Sequence, residues 1–92
     1  MPEVTFHIRW PDGQEEACYS PSTVIRDFLT AGESYRLDDF VDRSSSGLDQ
    51  ASRRVEAKLG FRCTSAEGQS RRLRETANRF KSEEIVTCLS IS

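Results

Sequence analysis

Val4-Thr5-Phe6-His7-Ile8-Arg9-Trp10, Pro11-Asp12-Gly13, Gln14-Glu15-Glu16-Ala17-Cys18-Tyr19 is the run from which the architecture is read. Val4, Phe6, Ile8 and Trp10 alternate with Thr5, His7 and Arg9, which is the pattern of a strand with one buried face. Proline pre-sets φ for the first corner of a turn, and Gly13 can take the left-handed position that closes it. A three-residue loop with a glycine bulge then returns the chain as a second strand from about Gln14 to Tyr19. With Pro11-Asp12-Gly13 as the loop, Arg9 lies opposite Glu15 and Phe6 opposite Cys18.

Beyond the hairpin, Ser20-Pro21-Ser22-Thr23 reads as a helix start, since serine caps free N–H groups and proline suits the first helical position. A short helix through Val24, Ile25, Phe28 and Leu29 follows, stopped by Thr30-Ala31-Gly32. A long helix begins near Asp38, with Leu37, Phe40, Val41, Leu48, Ala51, Val55 and Leu59 at helical spacing. Asp38, Asp39 and Asp42 precede Arg53, Arg54 and Lys58, an order that suits the macrodipole, and Gly60 is a natural stop. Its centre, Ser44-Ser45-Ser46-Gly47, is poor in helix formers, so either a soft continuous helix or a break near Gly47 is expected. Thr64-Ser65-Ala66-Glu67 is a capping box for a third helix reaching about Phe80, with Ala66, Leu73, Ala77 and Phe80 on its apolar face. Ile85 to Ile91 has apolar residues on both sides, as a central strand would.

The expected fold is therefore α+β over residues 1–92 as a single domain. Its order is ββαααβ: a β-hairpin, three helices and a C-terminal strand. These form a three-stranded sheet of order 2-1-3, covered mainly on one face by helices. The final strand carries Val86 and Cys88 on one side and Ile85, Leu89 and Ile91 on the other, which makes a homodimer an expectation, since a sheet apolar on both faces must hide both.

Composition narrows the function classes. With 92 residues the chain has room for one modest core, and stability on the order of 5–10 kcal/mol is expected. No apolar run approaches the roughly 20 residues of a membrane span, and no basic-then-apolar leader opens the chain. The three cysteines, Cys18, Cys63 and Cys88, are an odd and sparse set, read as reduced thiols in a cytoplasm. Net charge is −2, but its distribution is polar. Residues 1–52 hold 4 basic and 10 acidic side chains, whereas residues 53–81 hold 9 basic and 3 acidic.

Two segments are distinctive: Met1-Pro2-Glu3-Val4-Thr5-Phe6-His7-Ile8-Arg9-Trp10-Pro11-Asp12-Gly13, and Cys18-Tyr19-Ser20-Pro21-Ser22-Thr23-Val24. With Phe40-Val41 and Gly60-Phe61-Arg62-Cys63-Thr64-Ser65-Ala66, they closely resemble a small bacterial nitrogen-starvation-response family. The resemblance covers essentially the whole chain. It implies a gene cluster built around a nitrilase, with a radical-SAM protein, an acetyltransferase-like protein and a flavin-dependent oxidoreductase as neighbours. It carries over no catalytic residue.

The chemistry-bearing residues are weighed on that background. Trp10, Cys18, Tyr19, Ser20, Pro21 and Cys63 are the candidate functional residues, because they stand in the family-like segments. Zinc sites announce themselves with ligands two to four residues apart, whereas His7 and the three cysteines are scattered, so buried structural thiols are the expected reading and no metal or cofactor is assigned. A reactive thiol would sit best at Cys63, just before a helix start. An exposed Pro2 amine could serve as a general base, as in tautomerases, but those enzymes pass from their first strand into a helix and this chain turns back. Arg71, Arg72, Arg74 and Arg79 form a possible face for an acidic protein partner. Nucleic-acid binding is disfavoured, since neither interleaved aromatics nor a recognisable module accompanies them.

The resulting expectation is a cytoplasmic, non-catalytic accessory or binding protein of the bacterial nitrogen-starvation response, with protein partners from the nitrogen-limitation or nitrilase-linked pathway. The rival is a small enzyme of that pathway with Pro2 or a cysteine as its reactive group.

Overall fold

A computed structural model describes residues 3–60 and 64–92. The hairpin forms as the sequence predicts. Strand β1 spans Val4–Arg9 and β2 spans Glu15–Ser20, with Arg9 opposite Glu15 and Phe6 opposite Cys18. The Gly13 N–H donates to the Trp10 carbonyl at 2.9 Å, and the Trp10 N–H to the Gln14 carbonyl at 2.8 Å. Gly13 has φ +90°, the left-handed conformation the turn requires.

The predicted first helix is instead a single 3₁₀ turn, Thr23–Asp27. Its cap is Ser22, whose hydroxyl accepts from the Val24 N–H at 3.3 Å, and not Ser20. Five residues that include β-branched Val24 and Ile25 cannot repay α-helix nucleation, so the tighter turn is what remains. It still buries Val24, Ile25 and Leu29 as the apolar spacing requires.

Next comes an element the sequence reading lacked, strand β3, Ser34–Arg36. Three residues with a half-buried Tyr35 between exposed neighbours carry no periodicity to read. Tertiary contacts define this strand. It pairs antiparallel with the last strand, Tyr35 opposite Val86. The Tyr35 hydroxyl accepts from the Thr30 N–H at 2.9 Å, and the Arg43 guanidinium lies 5.2 Å from the Tyr35 ring centre.

Helix α1 spans Leu37–Leu59 without a break and ends at Gly60, φ +84°. Helix α2 spans Thr64–Ala77, a turn short of the predicted end near Phe80. Strand β4, Ile85–Ile91, closes the chain and pairs with both β1 and β3, so it is a central strand. The sheet is thus four-stranded and antiparallel, of order β2-β1-β4-β3. The three-stranded sheet of order 2-1-3 with three helices is corrected to four strands, two α-helices and a 3₁₀ turn. A bulge between His7 and Ile8 shifts the β1–β4 register.

The core lies between one sheet face and the helices. Val4, Phe6, Ile8, Cys18, Val86 and Cys88 meet Ile25, Leu29, Leu37, Phe40, Leu48, Ala66 and Leu73. The 3₁₀ turn packs against α1 on this same side, close beside Gly47. The other sheet face keeps Thr5, His7 and Thr87 half-exposed and leaves Ile85 50% exposed. Helix α1 stays continuous through Ser44-Gly47 because two of those residues are packing devices. The Ser44 hydroxyl donates back to the Phe40 carbonyl at 2.8 Å. A Cβ on Gly47 would stand 2.6 Å from Ile25 Cδ1 and 3.2 Å from Phe28 Cδ2, so only glycine admits the 3₁₀ turn this closely.

Candidate functional site

The family-like residues of the hairpin end up as structural parts. Trp10 is 3% exposed, its ring stacked on Phe80 at 6.0 Å and meeting Phe40 edge-on at 5.9 Å. Its indole N–H donates to Glu16 Oε1 at 3.0 Å, which satisfies the one polar group of an otherwise apolar side chain. Cys18 Sγ points to the other carboxylate oxygen of Glu16 at 4.0 Å. Burial first, and the Glu16 carboxylate second, push the Cys18 thiol far above its ordinary range, against a smaller opposing pull from Arg72. Burial also raises Cys88. Both thiols are free, buried and held neutral, unlike nucleophilic cysteines.

Tyr19 and Ser20 finish β2 and Pro21 leads the chain away. The Tyr19 N–H, on the outer edge of the sheet, donates to Gln69 Oε1 of α2 at 3.0 Å. The Ser20 hydroxyl donates to the Ser22 carbonyl at 2.7 Å, and Ser20, Pro21 and Ser22 are all buried. This motif shapes the exit from the hairpin and ties the edge strand to α2, which shields that edge from further pairing. His7 stands on the open sheet face, its Nδ1 3.3 Å from the Ser90 hydroxyl. Pro2 and Cys63, the two reactive groups of the enzymatic reading, lie outside the described residues. Among the described residues, no three of the histidine, cysteine, aspartate and glutamate side chains gather where a metal ion could be held.

What the fold does bring together is the exposed side of α2. At about 3.6 residues per turn, Leu73 and Ala77 face the core and the arginines divide to either flank. Arg72 lies on the flank toward β2, close enough to Cys18 to act on its thiol, and Arg79 follows in the turn after α2. Arg71 and Arg74 share the flank toward α1 and line the cleft between the two helices. None of the four makes an ion pair among the described residues, whereas on α1 Arg43 is bound to Asp39 at 2.8 Å and Arg53 to Asp49 at 3.1 Å. Sequence spacing found the arginines. It missed the cleft, because serines scattered over two helices converge only when the helices pack.

That cleft has a volume of about 500 Å³ and is lined by hydroxyls, Ser45, Ser46 and Ser52 from α1 and Ser70 from α2. The Ser70 hydroxyl donates to Ser45 Oγ across the helix pair at 3.4 Å. Ser52 is 1% exposed, and its hydroxyl has no hydrogen-bond partner among the described residues. A second cleft, lined by Leu37, Val41, Ala77, Phe80 and Arg74, opens beside the ends of α1 and α2. No helix among the described residues is long and apolar enough to cross a membrane.

A family model described as "Nitrogen starvation-induced protein NitG" matches residues 5–91. No curated protein and no solved structure matches the chain.

Proposed function

The chain belongs to the NitG family of nitrogen starvation-induced proteins, and from that premise we propose that it is a non-catalytic accessory or binding protein of the bacterial nitrogen-starvation response. The reading is that it docks an acidic protein partner, from the nitrogen-limitation or nitrilase-linked pathway, through Arg71, Arg72, Arg74 and Arg79. One observation carries this: α2 and the turn that follows it present four exposed guanidinium groups that no carboxylate holds among the described residues, whereas Arg43 and Arg53 of α1 are each bound to an aspartate. An unpaired arginine keeps its full planar fork for carboxylates brought by another molecule. A cytoplasmic setting accords with the free thiols of Cys18 and Cys88.

The test is capture from nitrogen-starved cells with immobilised protein, comparing the wild type with an Arg72→Glu/Arg79→Glu variant of verified fold. A partner retained by the first and lost by the second, and released by salt, is the expected result. Equal capture by both would remove the arginine face from the reading. Turnover of a nitrilase-pathway metabolite, abolished by Cys63→Ala or by a residue added before Pro2, would replace it with the enzymatic one.

A further inference from the structure

We infer that the cleft between α1 and α2 is a binding site for a small oxyanion, a carboxylate or phosphate group whose oxygens are taken by Arg71, Arg74 and the serine hydroxyls. The site shares Arg71 and Arg74 with the protein-docking reading, whose own test is made at Arg72 and Arg79, outside the cleft.

Small residues between helices are ordinarily packing devices, and part of the serine set is explained that way. Ser45 and Ser70 bond to each other where the helices approach. Ser46 and Ser52 are not explained by approach. Ser46 is exposed on the rim, where it weakens the helix it belongs to. Ser52 buries a hydroxyl with no partner among the described residues, a cost of about 1–3 kcal/mol that alanine would avoid at the same volume. A buried, unmatched hydroxyl lining a cavity is a donor in want of an acceptor.

Charge names the acceptor. Two carboxylates also line the cleft, but Asp49 is already held by Arg53 at 3.1 Å. Glu67 is engaged as well. Arg71 and Arg74 have no such partner among the described residues. The groups left over are thus two guanidinium forks and a set of hydroxyls, a donor array that matches the oxygens of a carboxylate or phosphate, while the positive charge of the two arginines opposes a cation. The cavity, about 500 Å³, is of the size that takes a metabolite rather than a bare ion. Ser46 in the middle of α1 is then accounted for: helix propensity is given up where the hydroxyl is wanted.

The experiment is titration calorimetry with the full chain, using sodium phosphate and sodium glutarate separately and sodium chloride at matched ionic strength as reference. One-site, saturable binding of either probe is expected, weakened about tenfold or more in Arg71→Gln/Arg74→Gln and weakened in Ser52→Ala. Arg72→Gln/Arg79→Gln should bind as the wild type does. Binding of phosphate alone supports the site with a phosphate-bearing ligand, and of glutarate alone with a carboxylate. No saturable binding of either probe up to about 10 mM overturns the inference. So does equal weakening by the two arginine pairs, which would mean unlocalised charge attraction. Circular dichroism and the Trp10 emission verify that each variant is folded.

Discussion

Glycine occupies two positions here for opposite reasons, and the two respond differently to a side chain. At Gly13 nothing lies within 4 Å of where a Cβ would be, but φ is +90°. Gly13→Val should therefore cost about 1–3 kcal/mol through backbone strain alone. A denaturation midpoint equal to that of the wild type would exclude the left-handed turn. At Gly47 the backbone is ordinary helix, and alanine would gain about 1 kcal/mol of propensity. Against that, the new methyl meets Ile25 and Phe28 inside ordinary contact distance, and overpacking costs about 1–3 kcal/mol. Gly47→Ala is expected to be net destabilising, and a raised melting temperature would show that the 3₁₀ turn yields more freely than its packing implies. Cys18 obeys a third logic. Its folded thiol is held above the unfolded value of about 8.5, so its contribution is complete below that pH and is lost as pH rises toward the folded value. Stability should fall above about pH 8.5 in the wild type and fall less in Cys18→Ala, which itself starts about 1–2 kcal/mol lower. Iodoacetamide at neutral pH should leave Cys18 and Cys88 unmodified until denaturant is added. Mass spectrometry showing either one alkylated in the native protein would contradict their burial.

Helix α1 shows how an element can look broken in the sequence and be whole in the fold. Three serines and a glycine in succession are a weak centre by local preference, and nothing in their spacing says that Ser44 and Gly47 face the core while Ser45 and Ser46 face a cleft. Tertiary packing overrides propensity, and the surface half of the run remains improvable. Ser46→Ala should raise stability by about 0.5 kcal/mol, since the site is exposed and alanine is the better helix former. Loss of stability, measured by urea denaturation, would mean that Ser46 holds α1 in a way the structure does not show. Strand β3 is the converse case. Its three residues have no local signal, and it exists because β4 offers an open edge and Tyr35 is fixed by Thr30 and Arg43.

The whole molecule is a two-layer structure with one sheet face covered and one open. The homodimer expected from the two-sided apolar pattern of β4 is narrowed by this arrangement. Val86 and Cys88 are fully buried under the helices, and Ile91, expected beside Ile85 and Leu89, packs against the core instead, so of the apolar residues of β4 only Ile85 and Leu89 are left to meet a second copy. Ile85→Glu should leave the circular dichroism unchanged, and any species larger than 10.5 kDa seen by light scattering should dissociate. A dimer that persists in Ile85→Glu would place the contact away from the open face.

By itself the sequence determined the hairpin with its register, the long helix with its glycine stop and the arginine-bearing helix. Each rests on periodicity or turn chemistry that is complete within about twenty residues, a range over which backbone sterics and burial of one face suffice. The tertiary structure alone decided the fourth strand and the central place of the last one, the reduction of the first helix to a 3₁₀ turn, Glu16 as the partner of Trp10 and Cys18, and the cleft. In each of these the deciding partner is distant in the chain or competes with a weak local preference: β4 for Tyr35, α1 for Ile25, Phe80 for Trp10, Ser70 for Ser45. Short elements cannot repay their own conformational entropy. They take the form that long-range contacts stabilise, and a functional surface assembled from two helices is written in neither of them alone.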